Sequence, residues 1–349
     1  MNQEEKIKMF RDVFNPKSGE HILFLVDLPH NALTDTPTWR DRRTMANEWF
    51  QTFKEMGKTT RFSVDWMEYK ATGKHNAPIP REMTDAVRHA NLVIAMTEFS
   101  ATTSLAPICM ATGSTVRGAS MPMVERRMEN TAFTANYAEV QRYARSLQHM
   151  LDTANGAEIL FSTGDTLYLD LRNRVAEADT GQCSQPGQFI NFPSGESCKT
   201  PYEGTPDEVG QFGPSQTKGA LPMSYAGEMV KYAIEQNRIV RVVGKGHRAG
   251  EMRRFFAEND TRRNIAELGM GCNPKAVITG NVLEDEKVGL HIAYGTSTHL
   301  RGKVTSDMHE DICYSKGCPV EGTTVVLINP DGSRTELVRN AMLRYDLLK

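Results

Sequence analysis

HILFLVDLPHNALTDTPTWRDRRTMANEWFQTFKEMGKTTRFSVDWM, residues 21–67, decides the fold of the first half of the chain. His21 to Leu28 is a short apolar run, suited to a buried strand. RDRRTMANEWFQTFKEMG follows with apolar residues at helical spacing and ends at Gly57. Arg61 to Met67 is strand-like again. Strand, helix, strand in that order builds a parallel sheet with helices on its faces.

The alternation continues outward. MNQEEKIKMFRDVF at the start reads as an amphipathic helix, and PREMTDAVRHA as another. Asn91 to Ser100 and Thr115 to Pro122 supply a third and a fourth strand, and NYAEVQRYARSLQHMLDTA is a long amphipathic helix. From about residue 156 the pattern changes. AEILFSTGDTLYLDL is a hairpin turning at Ser162–Asp165, MVKYAIEQNRIVRVVG a second, and VVLINPDGSRTELV a third turning at Asn329–Gly332. One helix, HRAGEMRRFFAEND, interrupts them. Residues 182–218, rich in Gly, Pro, Ser and Thr, read as an ordered irregular loop. The predicted architecture is an α/β domain with a parallel sheet over residues 1–155 and a mostly antiparallel β (α+β), metal-binding and catalytic domain over 156–349.

With 349 residues, two domains are the natural expectation. The net charge of −2 gives no general pull toward nucleic acid or an anionic membrane. No window approaches the roughly 20 apolar residues of a membrane span, and no apolar run of the secretory kind follows the charged N-terminus. The six cysteines are scattered, and Cys313 and Cys318 lack C-x-x-C spacing. The expectation is a cytoplasmic protein with buried or bystander thiols.

Four segments in the second half carry the chemistry: INFPSGESCKTP with Glu196, NIAELGMGCNP with Glu267, EDEKVGLHIAYG with His291, and SDMHEDICY with His309 and Asp311. Three carboxylates and two imidazoles are the donor set for two divalent ions sharing a bridging carboxylate. A mixed nitrogen and oxygen set suits Zn²⁺, Co²⁺, Mn²⁺ or Fe²⁺ rather than Cu(I) or an iron–sulfur cluster. On an extended strand His309 and Asp311, two apart, face the same side.

Motif by motif, these segments resemble the thermophilic-type leucyl aminopeptidases, the metallopeptidases also called aminopeptidase T or S. Their PxGE, GELGxGxNP-like, DEK–HxAxG and SDxHxD-like segments correspond, in order, to PSGE (193–196), AELGMGCNP (266–274), DEKVGLHIAYG (285–295) and SDMHED (306–311). The resemblance is specific over residues 190–312. It implies that Glu196, Glu267, His291, His309 and Asp311 are metal ligands, with Glu267 as the bridge and Glu196 and Glu267 essential for catalysis. Two divalent ions (Zn, Co or Mn), a small peptide or small-molecule substrate and a homodimer are implied as well. Glu196 and His309 are expected on one ion, His291 and Asp311 on the other. The family's tyrosine ligand, seven residues after the histidine of HxAxG, falls on Thr298. Tyr294, His299 and Tyr314 are the candidates to replace it, and Asp285, Glu286 and Lys287 the candidates for support or substrate contact.

The 2,5-dihydroxypyridine dioxygenases are similar to this chain at SDMHED. They imply a different enzyme, one Fe(II) opening an aromatic ring. That branch has a histidine where Glu267 stands and lacks the equivalents of Glu196 and His291. The expected function is therefore a two-metal, aminopeptidase-like hydrolase, with the single-iron dioxygenase as the alternative.

Overall fold

The computed structural model describes residues 1–349. In chain order its first elements are α1 (Gln3–Phe14), β1 (His21–Leu28), α2 (Pro37–Thr60), β2 (Ser63–Lys70), α3 (Arg81–Arg88), β3 (Leu92–Ala95), α4 (Thr102–Cys109), β4 (Arg117–Ser120) and α5 (Tyr137–Thr153). There follow β5 (Gly156–Phe161), β6 (Thr166–Asp170), β7 (Ala176–Asp179), β8 (Phe189–Asn191), β9 (Glu196–Lys199), α6 (Pro206–Phe212), β10 (Lys218–Tyr225), β11 (Glu228–Glu235) and β12 (Arg238–Val243). The last are α7 (His247–Glu258), β13 (Ile265–Gly271), α8 (Val282–Asp285), β14 (Leu290–Gly295), β15 (His309–Cys313), β16 (Gly322–Ile328), β17 (Arg334–Arg339) and β18 (Met342–Leu343).

The chain packs as two compact units. The first comprises residues 1–141, 179–194 and 273–277; the second comprises 142–178, 195–272 and 278–349. The division falls inside α5, not at 155/156, and it gives two later segments to the first unit.

Unit 1 holds a five-stranded sheet in the order β2-β1-β3-β4-β8, with every pair parallel. The central strands β1 and β3 are buried almost throughout, as their largely apolar sequences require. Helix α2 begins three residues before the expected Arg40, because Thr36 caps it and Pro37 takes its first turn. Gly57 lies inside that helix rather than at its end, packed against Phe62 where a side chain would collide. An aromatic cluster forms the core on this side: Phe10 meets Phe53 at 4.5 Å and Trp49 at 4.9 Å, and the Trp49 indole donates to Glu129.

Unit 2 carries two antiparallel sheets. One has eight strands in the order β12-β11-β10-β6-β5-β16-β17-β18, and the other five in the order β15-β14-β13-β9-β7. The expected hairpins are present: β11 and β12 turn at Gln236 and Asn237, both with positive φ, as a tight two-residue turn demands. A single apolar core joins the sheets. It takes Leu167, Leu169, Tyr232 and Val325 from the larger sheet and Leu268, Met270, Leu290, Ile292 and Tyr294 from the smaller. Residues 182–218 are not one irregular loop. They contain β8, which extends the parallel sheet, then β9 and α6. Those strands are three and four residues long, too short to show a countable alternation. All six cysteines are free thiols. No helix is long and apolar enough to cross a membrane.

Candidate metal centre

The five-stranded sheet of unit 2 sorts its residues by parity. On β13 the side chains of Leu268 and Met270 enter the core, so Glu267, Gly269 and Gly271 face the other way. On β14 Leu290, Ile292 and Tyr294 are core residues, which turns His291, Ala293 and Gly295 to that same opposite face. On β15 Ile312 packs against the core, leaving His309 and Asp311 to share the outward face. Pairing aligns the rows: Gly269 lies opposite His291, Ala293 opposite Asp311, Gly295 opposite His309, and Gly271 opposite Glu196 of β9. Each candidate head thus stands across from a glycine or alanine on at least one side. A Cβ at Gly269 would run into the His291 imidazole, and one at Gly271 into the backbone at Glu286 and Lys287. The small residues keep open the space that the functional heads occupy.

The five heads named from the sequence converge. Glu267 is central: its Oε1 lies 3.3 Å from His291 Nε2 and its Oε2 lies 3.2 Å from His309 Nε2. His309 Nε2 is 3.5 Å from Asp311 Oδ1, and His291 Nε2 is 3.4 Å from Glu196 Oε2. Glu196 therefore sits beside His291 rather than beside His309. Two groups of donor atoms are mutually within 4.8 Å: Glu267 with His291 and Asp311, and Glu267 with His299 and His309. Glu267 belongs to both.

Each imidazole is oriented through its other nitrogen. His291 Nδ1 donates to the Gly289 carbonyl at 3.3 Å, and His309 Nδ1 to the Thr296 carbonyl at 2.8 Å. That fixes Nε2 as the atom offered to the centre, the arrangement found behind metal-binding histidines. Burial lowers the basicity of His291, but its hydrogen bond to Glu267 and the charges of Glu196, Glu267 and Asp311 outweigh burial and lift it to about 10. In the same way His309 is desolvated, yet Asp311 and Glu267 hold it well above its ordinary value. Burial would raise Glu267; the two imidazoles reverse this and keep it well below the usual carboxylate range. Desolvation of its ring, and then the charge of His309, push His299 down to about 4.

The flanking residues divide into two groups. Lys287 is fully buried and donates to Glu196 Oε1 at 2.6 Å and to Glu286 Oε1 at 2.7 Å. Burial pushes Glu286 up to about 8 against the pull of Lys287, helped by the charges of Glu196 and Asp311. Asp285 instead caps the turn before α8, accepting from Thr279 N at 2.7 Å and Gly280 N at 2.8 Å. Tyr294 donates to Glu310 at 2.7 Å from the core face of β14, and the buried Tyr314 donates to the Pro222 carbonyl at 3.0 Å. Neither phenol reaches Glu267. One residue escaped the sequence reading: Cys198, two after Glu196 and so on the same face of β9. Its thiol is pushed well above the ordinary range by burial and by the adjacent Glu267 and Glu196 charges. A cavity of about 210 Å³, lined among others by Tyr225, Glu310, Cys313 and Tyr314, reaches Asp311.

The donor set fits divalent cations. Glu196 Oε2 is buried with no hydrogen-bond partner, which is costly for a carboxylate unless a cation sits against it. Glu196, Glu267 and Asp311 meet at one place where Lys287 is the sole permanent cation, so protons or metal ions must balance the rest. Mixed carboxylate and imidazole donors match Zn²⁺, Mn²⁺, Co²⁺ or Fe²⁺.

A sheet face that gathers three carboxylates and two imidazoles beside glycines and an alanine has the composition of a metal-binding site. The chain belongs to the 2,5-dihydroxypyridine 5,6-dioxygenase (NicX) family, whose model matches residues 43–326. Its fold is shared with 2,5-dihydroxypyridine dioxygenase from Pseudomonas putida KT2440, at a TM-score of 0.70 and 16% identity over 99% of this chain and 98% of that one. It is also shared with AmpT from Thermus thermophilus, at a TM-score of 0.61 and 14% identity over 98% of both chains. No curated protein sequence matches significantly. Both branches expected from the motifs are thus present, and the family model falls on the one placed second.

Proposed function

We propose that the chain is a metal-dependent hydrolase whose centre takes two divalent ions bridged by Glu267 and which cleaves an amide or peptide bond in a small substrate. One observation carries this reading: the two oxygens of Glu267 address two different imidazoles, Oε1 toward His291 and Oε2 toward His309. A carboxylate serving one ion has no need of a second histidine on its far oxygen. When bound, such a pair of ions supplies Lewis acidity and lowers the pKa of water toward neutrality. The protein's own contribution is positional. Gly289 and Thr296 set the imidazoles, Gly269 and Gly271 clear their space, and Lys287 holds Glu196 Oε1 so that Oε2 points inward.

The family match favours a second reading, a ring-cleaving dioxygenase with one Fe(II). Against it stand Glu267, where that branch is expected to have histidine, and the presence of Glu196 and His291. Metal analysis of protein purified without chelator separates the two. Two Zn, Mn or Co per chain with turnover of aminoacyl anilides supports the hydrolase. One Fe per chain with oxygen uptake on hydroxypyridines sinks it.

A further inference from the structure

We propose that His299 is itself a metal ligand, completing with Glu267 and His309 the ion position for which a tyrosine at 298 would otherwise be expected. The proposal rests on the two-ion reading above and extends it to a residue that no motif assigns. Three side chains were candidates to replace the tyrosine, and the structure separates them. Tyr294 is engaged by Glu310 and Tyr314 by the Pro222 carbonyl. Thr298 turns its hydroxyl to Thr296 Oγ1, 3.3 Å away. His299 alone brings a ring nitrogen within 4.8 Å of donor atoms on both Glu267 and His309, and its ring meets that of His309 edge to face at 4.6 Å.

The loop that carries His299 is held for this purpose. Buried Glu203 accepts from Ser297 Oγ, from Lys303 N at 2.7 Å and from Val304 N at 3.0 Å, and is itself gripped by Arg174 at 2.8 Å. Leu300 N and Gly302 N both donate to the Ser297 carbonyl at 2.9 Å, closing the turn. Thr296, at the root of the same loop, orients His309. One carboxylate away from the centre thus fixes both imidazoles relative to Glu267, making Glu203 a positioning residue.

The consequence is an asymmetric pair. One position has two imidazoles and a shared carboxylate. The other has one imidazole, His291, with Asp311, the shared Glu267 and the adjacent Glu196. Imidazole-rich sets favour Zn²⁺, Co²⁺ or Fe²⁺, and oxygen-rich sets accept Mn²⁺.

The test is Co²⁺ titration of the chelator-stripped full chain, followed by visible absorption and metal counting. The wild type is expected to take two Co²⁺. His299→Ala should weaken one of the two by at least about tenfold and alter its absorption band, while Thr298→Ala leaves both unchanged. Retention by His299→Ala of both affinities and the wild-type spectrum would overturn the proposal. Should that variant fail to fold, X-ray absorption of the Co²⁺-loaded wild type decides instead: three imidazoles shared by two ions support the assignment, and two overturn it. Uptake of a single ion by the wild type would defeat the two-ion reading. His299 would then still be tested by whether its removal weakens that one ion.

Discussion

Gly269 shows how much of the centre depends on an atom that is absent. Opposite it on β14 stands His291, whose ring fills the place a Cβ would take. Gly269→Ala is expected to displace the imidazole and abolish metal uptake at His291 while leaving the far-ultraviolet circular dichroism intact; undiminished metal content would show that the sheet accommodates the methyl. Lys287 makes the complementary point about charge. It lies between Glu196 and Glu286 with no solvent to replace it. Lys287→Met leaves two buried carboxylates facing each other and should cost about 3 kcal/mol in urea unfolding with chelator present. Glu286 already sits near 8 in the folded protein, above its unfolded value of 4.5. A carboxyl raised on folding stabilises below its unfolded pKa and loses that stability as pH rises. Wild-type stability should therefore fall as pH rises from the unfolded value of 4.5 toward 8, which the same urea unfolding measures.

At the scale of elements, the centre is a property of strand parity backed by a clamped loop. Helix α6 takes part through Glu208, which completes a capping box with Thr205 and pairs with Arg174, the same guanidinium that grips Glu203. Burial would raise the Glu208 carboxyl, but Arg174, the Thr205 N–H and Lys303 bring it down to about 2. Here the sign is the reverse of that for Glu286. The contribution is complete above the unfolded value near 4.5 and disappears as pH falls toward 2. Glu208→Gln is expected to be less stable by on the order of 2 kcal/mol at pH 7, and the gap to wild type should close by pH 2. A gap that stays constant down to pH 2 would mean that the ionised form contributes nothing. Thermal unfolding across pH reads this directly.

For the whole molecule, one fold is shared with a 2,5-dihydroxypyridine dioxygenase and with AmpT; a fold by itself does not choose a chemistry, so the donor set must. All five candidate ligands and His299 belong to unit 2. A metal that binds only the folded state adds about 2.7 kcal/mol at a hundredfold excess over its Kd. For a unit of this size that is roughly 5–10 °C in the unfolding midpoint. Added Mn²⁺ or Zn²⁺ should produce this rise in calorimetry, and Glu267→Ala should abolish it together with turnover. An equal rise in the variant would remove Glu267 from the centre.

Local chemistry determined a good deal. The apolar run at 21–28, the helical spacing of α2 and the turn residues at 236–237 and 329–332 each act over a few neighbours, so they can be read along the chain. The same holds for the shared face of His309 and Asp311, since parity needs only an extended backbone. Helix α4 was not legible, because TTSLAPIC offers weak helix formers and an internal proline. Strands β8 and β9 exist only because β4 and β13 lie alongside to accept their hydrogen bonds. Which of Tyr294, His299 and Tyr314 faces Glu267 was likewise decided by the fold. It depends on the register between β13, β14 and β15 and on a loop pinned by Glu203 from nearly a hundred residues away. Such long-range pairings leave no local trace, because their energy appears only when distant segments have already met.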